Sequence, residues 1–139
     1  MLYKISRETD PKPEDVQILS NGIMANAKKI KGFKPLEFFA FFIRDNNDDI
    51  VGGCNGTNLY GCLYVDQLWV NDELRGKGFG KQLMLEAEHH AIRSQCHFMA
   101  VNTMDWEALD FYKKLGFEVE FERRGFDKNS VFYYMRKDL

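Results

Sequence analysis

Residues 62–93 constrain the fold more than any other part of the chain. Residues 62–70 predict a long strand ending in Leu68-Trp-Val, and the loop that follows contains the run Arg75-Gly-Lys-Gly-Phe-Gly80-Lys. After Gly80, apolar residues recur at helical spacing and charged residues fall on the other side. A strand, a glycine-rich loop and a helix in this order predict an α/β protein.

The remaining segments supply the other strands and helices of one central sheet. Pro11 and Pro13 separate a short first strand from a helix predicted over residues 14–31. The near-continuous apolar run of residues 36–44 predicts a strand covered on both faces. Further strands are predicted over residues 50–54, 97–103, 118–123 and 131–136.

A further helix has a single-residue signal at each end. Asp105 is expected to cap a helix whose apolar face includes Phe111 and Tyr112, and Gly116 is expected to end it in the left-handed conformation. The predicted order is then β, α, β, β, β, α, β, α, β, β. This is an α/β fold with a mixed central β-sheet flanked by helices, in a single domain over residues 1–139.

Composition narrows the functional classes. The chain has 139 residues and a net charge of −2, which argues against a nucleic-acid backbone binder. It has no apolar stretch of about 20 residues that could span a membrane. Its first residues carry charge too early for a signal peptide, and its three cysteines have no ligand-like spacing. We therefore expect reduced thiols and a cytoplasmic protein.

The glycine-rich loop is placed where an anion site can form. Glycines let the backbone approach a phosphate closely, and the following helix N-terminus offers unpaired N–H groups. Arg75 occupies the position where a P-loop needs its first glycine, and Gln82 is neither Ser nor Thr. Lys81 occupies the position of the third glycine of a dinucleotide-binding loop. The loop alone is also compatible with a glycine-rich connection that binds nothing.

Two segments together resemble the GNAT N-acetyltransferases. The run Arg75-x-x-Gly78-x-Gly80 is similar to the acetyl-coenzyme A signature of that family. About thirty residues later, the segment from Ala108 to Phe117, which contains Tyr112 before a Gly-Phe pair, is similar to the second signature. Asp105 stands where the family usually has Asn, so a contact from that amide is in doubt, and Asn102 is an alternative polar contact.

The resemblance implies the GNAT acyl-CoA N-acyltransferase fold with acetyl-CoA as co-substrate and no metal. The pantetheine arm of acetyl-CoA would pair with the backbone at the end of the strand of residues 62–70. The pyrophosphate of acetyl-CoA would rest on the N–H groups of residues 75–81. The strand from residue 62 is expected to diverge near Leu68 from the strand of residues 97–103. The implied cofactor-binding residues are Leu68, Trp69, Val70, Arg75, Gly76, Lys77, Gly78, Phe79, Gly80, Lys81 and Asn102.

The implied reaction is direct attack of a neutral amine on the thioester through a tetrahedral intermediate. Tyr112 matches the tyrosine that protonates the leaving thiolate, and the alternative is a packing tyrosine. Asp66 is the carboxylate within the strand and is the candidate general base, with a structural carboxylate or a clamp on the substrate amine as alternatives. Simple alternation would place Asp66 on one face with Leu68 and Val70, unless a bulge near Leu68 changes which residues face the slot.

Several functional readings stay open. The preferred one is acetyl transfer to a primary amine of a small molecule, with no nucleic-acid or membrane partner and a homodimer left open. The alternatives are a non-catalytic acyl-CoA-binding sensor or docking module, and a protein amino-group acetyltransferase. The adjacent His89 and His90 are not expected to bind a metal, because neighbouring helix residues point in different directions.

Overall fold

The centre of the structure is a six-stranded mixed sheet in the order β1-β2-β3-β4-β6-β5. The computed structural model describes residues 1–139. Neighbouring strands are antiparallel except β3 and β4, which are parallel. The strands are β1 (Glu37–Arg44), β2 (Ile50–Leu59), β3 (Cys62–Val70), β4 (Phe98–Met104), β5 (Glu118–Arg123) and β6 (Phe132–Asp138).

The helices are α1 (Pro13–Lys31), α2 (Phe79–Arg93) and α3 (Leu109–Lys114). Two short 3₁₀ turns cover Asp72–Leu74 and Asp127–Asn129. The mixed sheet with helices confirms the predicted class, and the final hairpin pairs β5 with β6 as expected. None of the helices is both long enough and apolar enough to cross a membrane.

The chain divides into two compact units, Met1–Pro35 and Leu36–Leu139. The first contains α1, which begins with Pro13 in its first turn and ends at Gly32 in the left-handed conformation. The strand expected before Pro11 is absent, since residues 1–12 form neither helix nor strand. A strand needs a hydrogen-bonding edge, and this short unit contains none. The prediction of a single domain over residues 1–139 stays a prediction.

The core of the second unit lies between α2 and one face of the sheet. Helix α2 buries the apolar positions that the sequence predicted, because they recur on one side of the helix. The sheet covers them with side chains that alternate along β3, β4 and β6. The members of this core include Leu83, Met84, Ala87 and Ala91 from the helix and Leu63, Val65, Met99, Val101 and Met135 from the sheet.

Strand β1 is less buried than expected. Phe39 lies in the core, but Phe38 and Phe42 are 68% and 54% exposed. The prediction of a strand covered on both faces is therefore wrong. The strand is at the sheet edge, and its large aromatic residues on the second face made an alternating pattern look continuous.

The residues around α3 differ from the predicted cap. The Asp105 carboxylate accepts a hydrogen bond from the Val131 N–H at 3.1 Å. It therefore links the segment before α3 to the residue that precedes β6, and it does not cap the helix. Thr103 Oγ1 accepts from the Ala108 N–H instead, at 3.1 Å. Gly116 has φ 96° and confirms the predicted left-handed stop.

Candidate functional site

A slot opens where the two parallel strands of the sheet separate. Strands β3 and β4 pair from Cys62 opposite Phe98 up to Val65 opposite Val101, and their later residues are not paired with each other. The predicted divergence near Leu68 is confirmed, and it begins at Asp66. The unpaired half of β3 therefore keeps free backbone groups on the edge that faces β4.

A bulge in β3 lies at the point of separation. Asn55 is opposite Gln67 and Gly56 is opposite Val65, so Asp66 is an extra residue without a partner. Beyond the bulge, side chains change face, and Leu68 packs against the core with the earlier apolar residues. Simple alternation, which grouped Asp66 with Leu68, is thus wrong beyond the bulge, and the alternative of a bulge near Leu68 is confirmed at Asp66.

The glycine-rich loop joins this slot to the N-terminus of α2. Gly76 and Gly78 have φ values of 75° and 85°, which side-chain-bearing residues rarely adopt, and a Cβ at either would meet nothing within 4 Å. Gly78 precedes the helix without a side-chain cap. The first N–H groups of α2 therefore lack intrahelical acceptors, and the helix dipole favours an anion there.

Arg75 holds the loop to the end of β3. Its Nε donates to the Val70 carbonyl at 3.1 Å, and its guanidinium forms an ion pair with Asp72 at 3.0 Å. Its backbone N–H donates to the Asp72 carbonyl at 3.2 Å. The available N–H groups of the loop consequently begin after Arg75, which shortens the range expected from the sequence.

A cavity of about 760 Å³ lies along the slot and the loop. Nine of the eleven predicted cofactor-binding residues line it, and Lys77 and Asn102 do not. Asn102 instead donates its amide to the Tyr64 hydroxyl at 2.8 Å. The nine are Leu68, Trp69, Val70, Arg75, Gly76, Gly78, Phe79, Gly80 and Lys81.

The opposite wall of this cavity was not predicted from the sequence. It consists of Trp106, Glu107, Ala108 and Phe111, and Leu74 lines the loop side. Ala108 and Phe111 belong to the second signature, so that segment carried the signal. A Cβ at Gly80 would come 3.3 Å from the Phe111 ring, which shows why a glycine lets these walls approach.

Tyr112 lies beside the cavity wall and does not line the cavity itself. Its side chain is 6% exposed and packs edge-on against Phe111 and Phe117. Burial, together with the nearby Cys54, Glu107 and Tyr64, raises the pKa of the Tyr112 phenol to about 12. The phenol therefore keeps its proton at neutral pH.

Asp66 has the opposite environment. It is exposed at the bulge, the first residue after β3 leaves β4. Burial raises the pKa of the Tyr64 phenol, and the charge of Asp66 raises it further. The carboxylate is therefore close to the Tyr64 and Asn102 pair that bridges the strands at the start of the slot.

None of the histidines or cysteines lines this cavity. His90 stacks near Phe39 at a centroid distance of 5.4 Å, and all three cysteines are buried and unpaired. No three His, Cys, Asp or Glu side chains are grouped so that they could hold a metal ion.

Comparisons with known proteins agree with this geometry. A protein-family model described as "Acetyltransferase (GNAT) family" matches residues 2–117. The chain is 33% identical over 87 residues to blasticidin-S acetyltransferase of Streptomyces morookaense, which covers 62% of this chain and 64% of that protein. It is 35% identical over 75 residues to an acetyltransferase of Agrobacterium fabrum, covering 54% and 55%. The aligned regions thus span less than two thirds of these curated relatives.

Solved structures show the same fold. A protein from Agrobacterium tumefaciens, classed as an acetyltransferase, superposes with a TM-score of 0.87 over 100% of both chains at 24% identity. A Bacillus anthracis protein, classed as a streptothricin acetyltransferase and solved in complex with acetyl coenzyme A, gives 0.66 at 20% identity over 76% of this chain and 64% of that one. With the family match over most of the chain, the conclusion is that this protein belongs to the GNAT acetyltransferase family.

Proposed function

We propose that this protein is an acetyl-CoA-dependent N-acetyltransferase that acetylates a primary amine of a small molecule. The observation that carries the proposal is the continuous cavity from the parted strands to the uncapped N-terminus of α2. A thioester group and a pyrophosphate at opposite ends of one ligand need those two environments in that order.

The loop fits a phosphate group. The positive φ of Gly76 and Gly78 directs the backbone around a space that no protein atom fills near either glycine. The first N–H groups of α2 and the Lys81 ammonium supply donors and positive charge at this end of the cavity. Glu107 is the one carboxylate of the lining, and its Oε1 is engaged by the Met104 N–H at 3.2 Å.

The open edge of β3 fits the arm of the ligand. Past Val65 the strand has no partner on the β4 side, so its N–H and C=O groups there can pair with an extended chain as a further strand would. Leu68, Trp69 and Val70 would contribute main-chain atoms in this role, which does not depend on their side chains.

The chemistry needs a proton acceptor and a proton donor on either side of the reacting carbon. Bound acetyl-CoA supplies the activated thioester. Asp66, exposed at the start of the slot, takes a proton from the acceptor amine, directly or through water. Tyr112, which burial keeps protonated, is assigned the donation to the departing thiolate, and its hydroxyl must reach past the cavity wall because it does not line the cavity.

The acceptor class is inferred from the names of relatives. One relative is named for blasticidin S, and one structural neighbour is named for streptothricin. The alternative of a protein amino group has support from a 36% match over 56 residues to a peptidyl-lysine N-acetyltransferase of Salmonella typhimurium, which covers 40% of this chain. We favour a small molecule because the match to blasticidin-S acetyltransferase extends over 87 residues and the match to the peptidyl-lysine enzyme over 56.

An acceptor screen tests the function. Purified protein with acetyl-CoA is given small amines, polyamines and lysine peptides, and thiol release is followed together with the mass of the acetylated product. We expect thiol release above the background hydrolysis with at least one small amine. Acetyl-CoA binding without transfer to any acceptor would support the non-catalytic module instead.

We also propose that the protein forms a homodimer in the cytoplasm. Within its own unit α1 buries none of its residues, and Val16, Leu19, Ile23 and Ile30 form an apolar stripe at helical spacing. Exposed apolar stripes mark interaction surfaces. Light scattering should give twice the chain mass, and Ile23→Glu should shift it to one chain mass. A monomer in the unaltered protein would contradict the proposal.

A further inference from the structure

We infer that a second, smaller cavity, over β1, β2 and β3, binds a flat group of the acceptor that donates N–H hydrogen bonds. The cavity measures about 210 Å³ and Trp69 borders both it and the larger one. Its assignment to the acceptor rests on the proposed function, but the binding of such a group does not.

Two exposed aromatic residues flank the cavity. Phe42 lies opposite Gly53 on β2, and Gly53 lies opposite Trp69 on β3, so the three form one row across the strands. Residues in one row present their side chains on the same face, and the outer two strands are about 10 Å apart. Phe42 and Trp69 are 54% and 52% exposed, although both are large and apolar.

Gly53 provides the floor between the rings. A Cβ there would come 2.6 Å from the Phe41 carbonyl oxygen and 2.9 Å from the Phe42 ring. Any other residue would therefore push Phe42 away from its place. The glycine keeps a gap between two aromatic side chains, and a flat group is the shape that such a gap accepts.

An unsatisfied acceptor lies at one end of the gap. Asn55 and Gln67 are opposite each other in the next row on the same face, at the edge of the bulge. The Asn55 Oδ1 atom is buried and accepts no hydrogen bond. Buried polar atoms are almost always paired, by protein, water or ligand, and Asn55 lines the cavity, so we assign the missing donor to a ligand.

These features select the chemistry of the group. A guanidinium or an amino-substituted heterocycle has a flat face for the rings and N–H groups for Asn55. A simple alkylammonium lacks the flat face, and a carboxylate would face the Asn55 oxygen without a donor. Within the chain itself, the Arg44 guanidinium lies 5.8 Å from the Phe42 ring centroid. The same guanidinium forms an ion pair with Asp48.

The test is a direct titration without acetyl-CoA. The chain has two tryptophans, and Trp106→Phe leaves Trp69 as the only indole reporter. Methylguanidinium and 2-aminopyrimidine are titrated against its fluorescence, with tetramethylammonium and unsubstituted pyrimidine as probes that lack N–H donors. We expect saturable quenching by at least one of the first two and at least tenfold weaker binding of the second two.

Variants locate the donor contact. In the same background, Asn55→Leu should weaken the binding probe about tenfold without lowering the melting temperature, because it removes the orphan atom. Gln67→Leu, at an exposed position, should weaken it severalfold and replaces the first variant should that one not fold. Thr57→Val, on the same strand face outside the cavity, is the matched control and should bind normally.

The outcomes separate this inference from the proposed enzyme function. Absence of quenching by every probe, equal binding of tetramethylammonium, or unchanged binding in both Asn55→Leu and Gln67→Leu would overturn it, whatever the acceptor screen gives. Saturable, Asn55-dependent binding supports the cavity even in a protein that transfers no acetyl group.

Discussion

At the scale of single residues, the two proposed catalytic side chains differ in their access to water. Tyr112 is nearly enclosed by rings, and burial raises its pKa to about 12. Asp66 is exposed at a bulge. The raised pKa keeps the phenol protonated at neutral pH but makes it a weaker acid toward the thiolate, whereas an exposed carboxylate can pass a proton to water after each turnover.

Tyr112→Phe tests the donor. We expect turnover to fall about 10²-fold, the low end for a lost general acid, with the dissociation constant for acetyl-CoA nearly unchanged because one hydroxyl is removed. Steady-state kinetics and a thermal-shift titration measure the two effects. Tyr3→Phe, at an exposed position before α1, should behave as the unaltered protein. Normal turnover in Tyr112→Phe would make this tyrosine structural.

Asp66→Asn tests the acceptor. If the carboxylate takes the amine proton, the variant should lose the acidic limb of the pH–rate profile and turnover should fall. If it only clamps the substrate ammonium, KM for the acceptor should rise and the limb should persist. Glu73→Gln, in the 3₁₀ turn beyond β3, is the control for a general loss of negative charge. An Asp66→Asn protein with unaltered kinetics contradicts both roles.

At the scale of elements, the loop between β3 and α2 is the feature on which cofactor binding depends. Acetyl-CoA at a hundred times its Kd should stabilise the folded protein by about 2.7 kcal/mol and so raise its melting temperature. Gly78→Val should abolish this rise. The new side chain would enter open space, so the fold should survive with some backbone strain.

Gly125→Val is the matched control for that strain. Gly125 has φ 98°, a Cβ there would also meet nothing within 4 Å, and it does not line the cavity. It should lower the melting temperature by a similar amount and keep the full acetyl-CoA shift. Equal shifts in Gly78→Val and Gly125→Val would show that the phosphates bind elsewhere.

The sequence predicted the elements whose signals are local. Helix α2 followed from its apolar spacing and Gly116 from its position at a helix end. These features depend on residues within one or two turns of each other. They do not depend on contacts with distant parts of the chain.

The errors concern features set by distant partners. The face of Leu68 depends on the bulge at Asp66, and a bulge is defined only by pairing with β2. The Asp105 carboxylate accepts a hydrogen bond from the Val131 N–H, 26 residues away, and therefore does not form the predicted cap. The Asn55 orphan could not be predicted, since it requires the register of three strands.

At the scale of the whole molecule, four weakly acidic groups lie in the core in their neutral forms. Burial raises the pKa of the Cys54 and Cys62 thiols to about 11 and of the Tyr112 phenol to about 12, and it also raises the pKa of Cys96. Unfolding exposes these groups and returns the thiols to a pKa near 9 and the phenol to one near 10. Folding is thus coupled to keeping four protons.

The coupling predicts an alkaline loss of stability. Above pH 9 the unfolded chain releases thiol protons that the folded chain retains, so the free energy of unfolding falls as pH rises toward 11. At about 1.4 kcal/mol for each pKa unit, each of the two thiols should account for a loss of up to roughly 2 kcal/mol between pH 8 and 10.5. Urea unfolding at both pH values, under reducing conditions, measures it.

Two core truncations separate titration from packing. Cys54→Ala removes a 2%-exposed thiol that donates to the Leu83 carbonyl, so it should lower stability at pH 8 and flatten the dependence on pH. Val65→Ala removes buried volume without a titrating group, so it should lower stability equally at both pH values. If Cys54→Ala keeps the full alkaline slope, the Cys54 thiol does not carry its share of the coupling. If the unaltered protein is equally stable at pH 8 and 10.5, the folded core must release these protons as easily as the unfolded chain does.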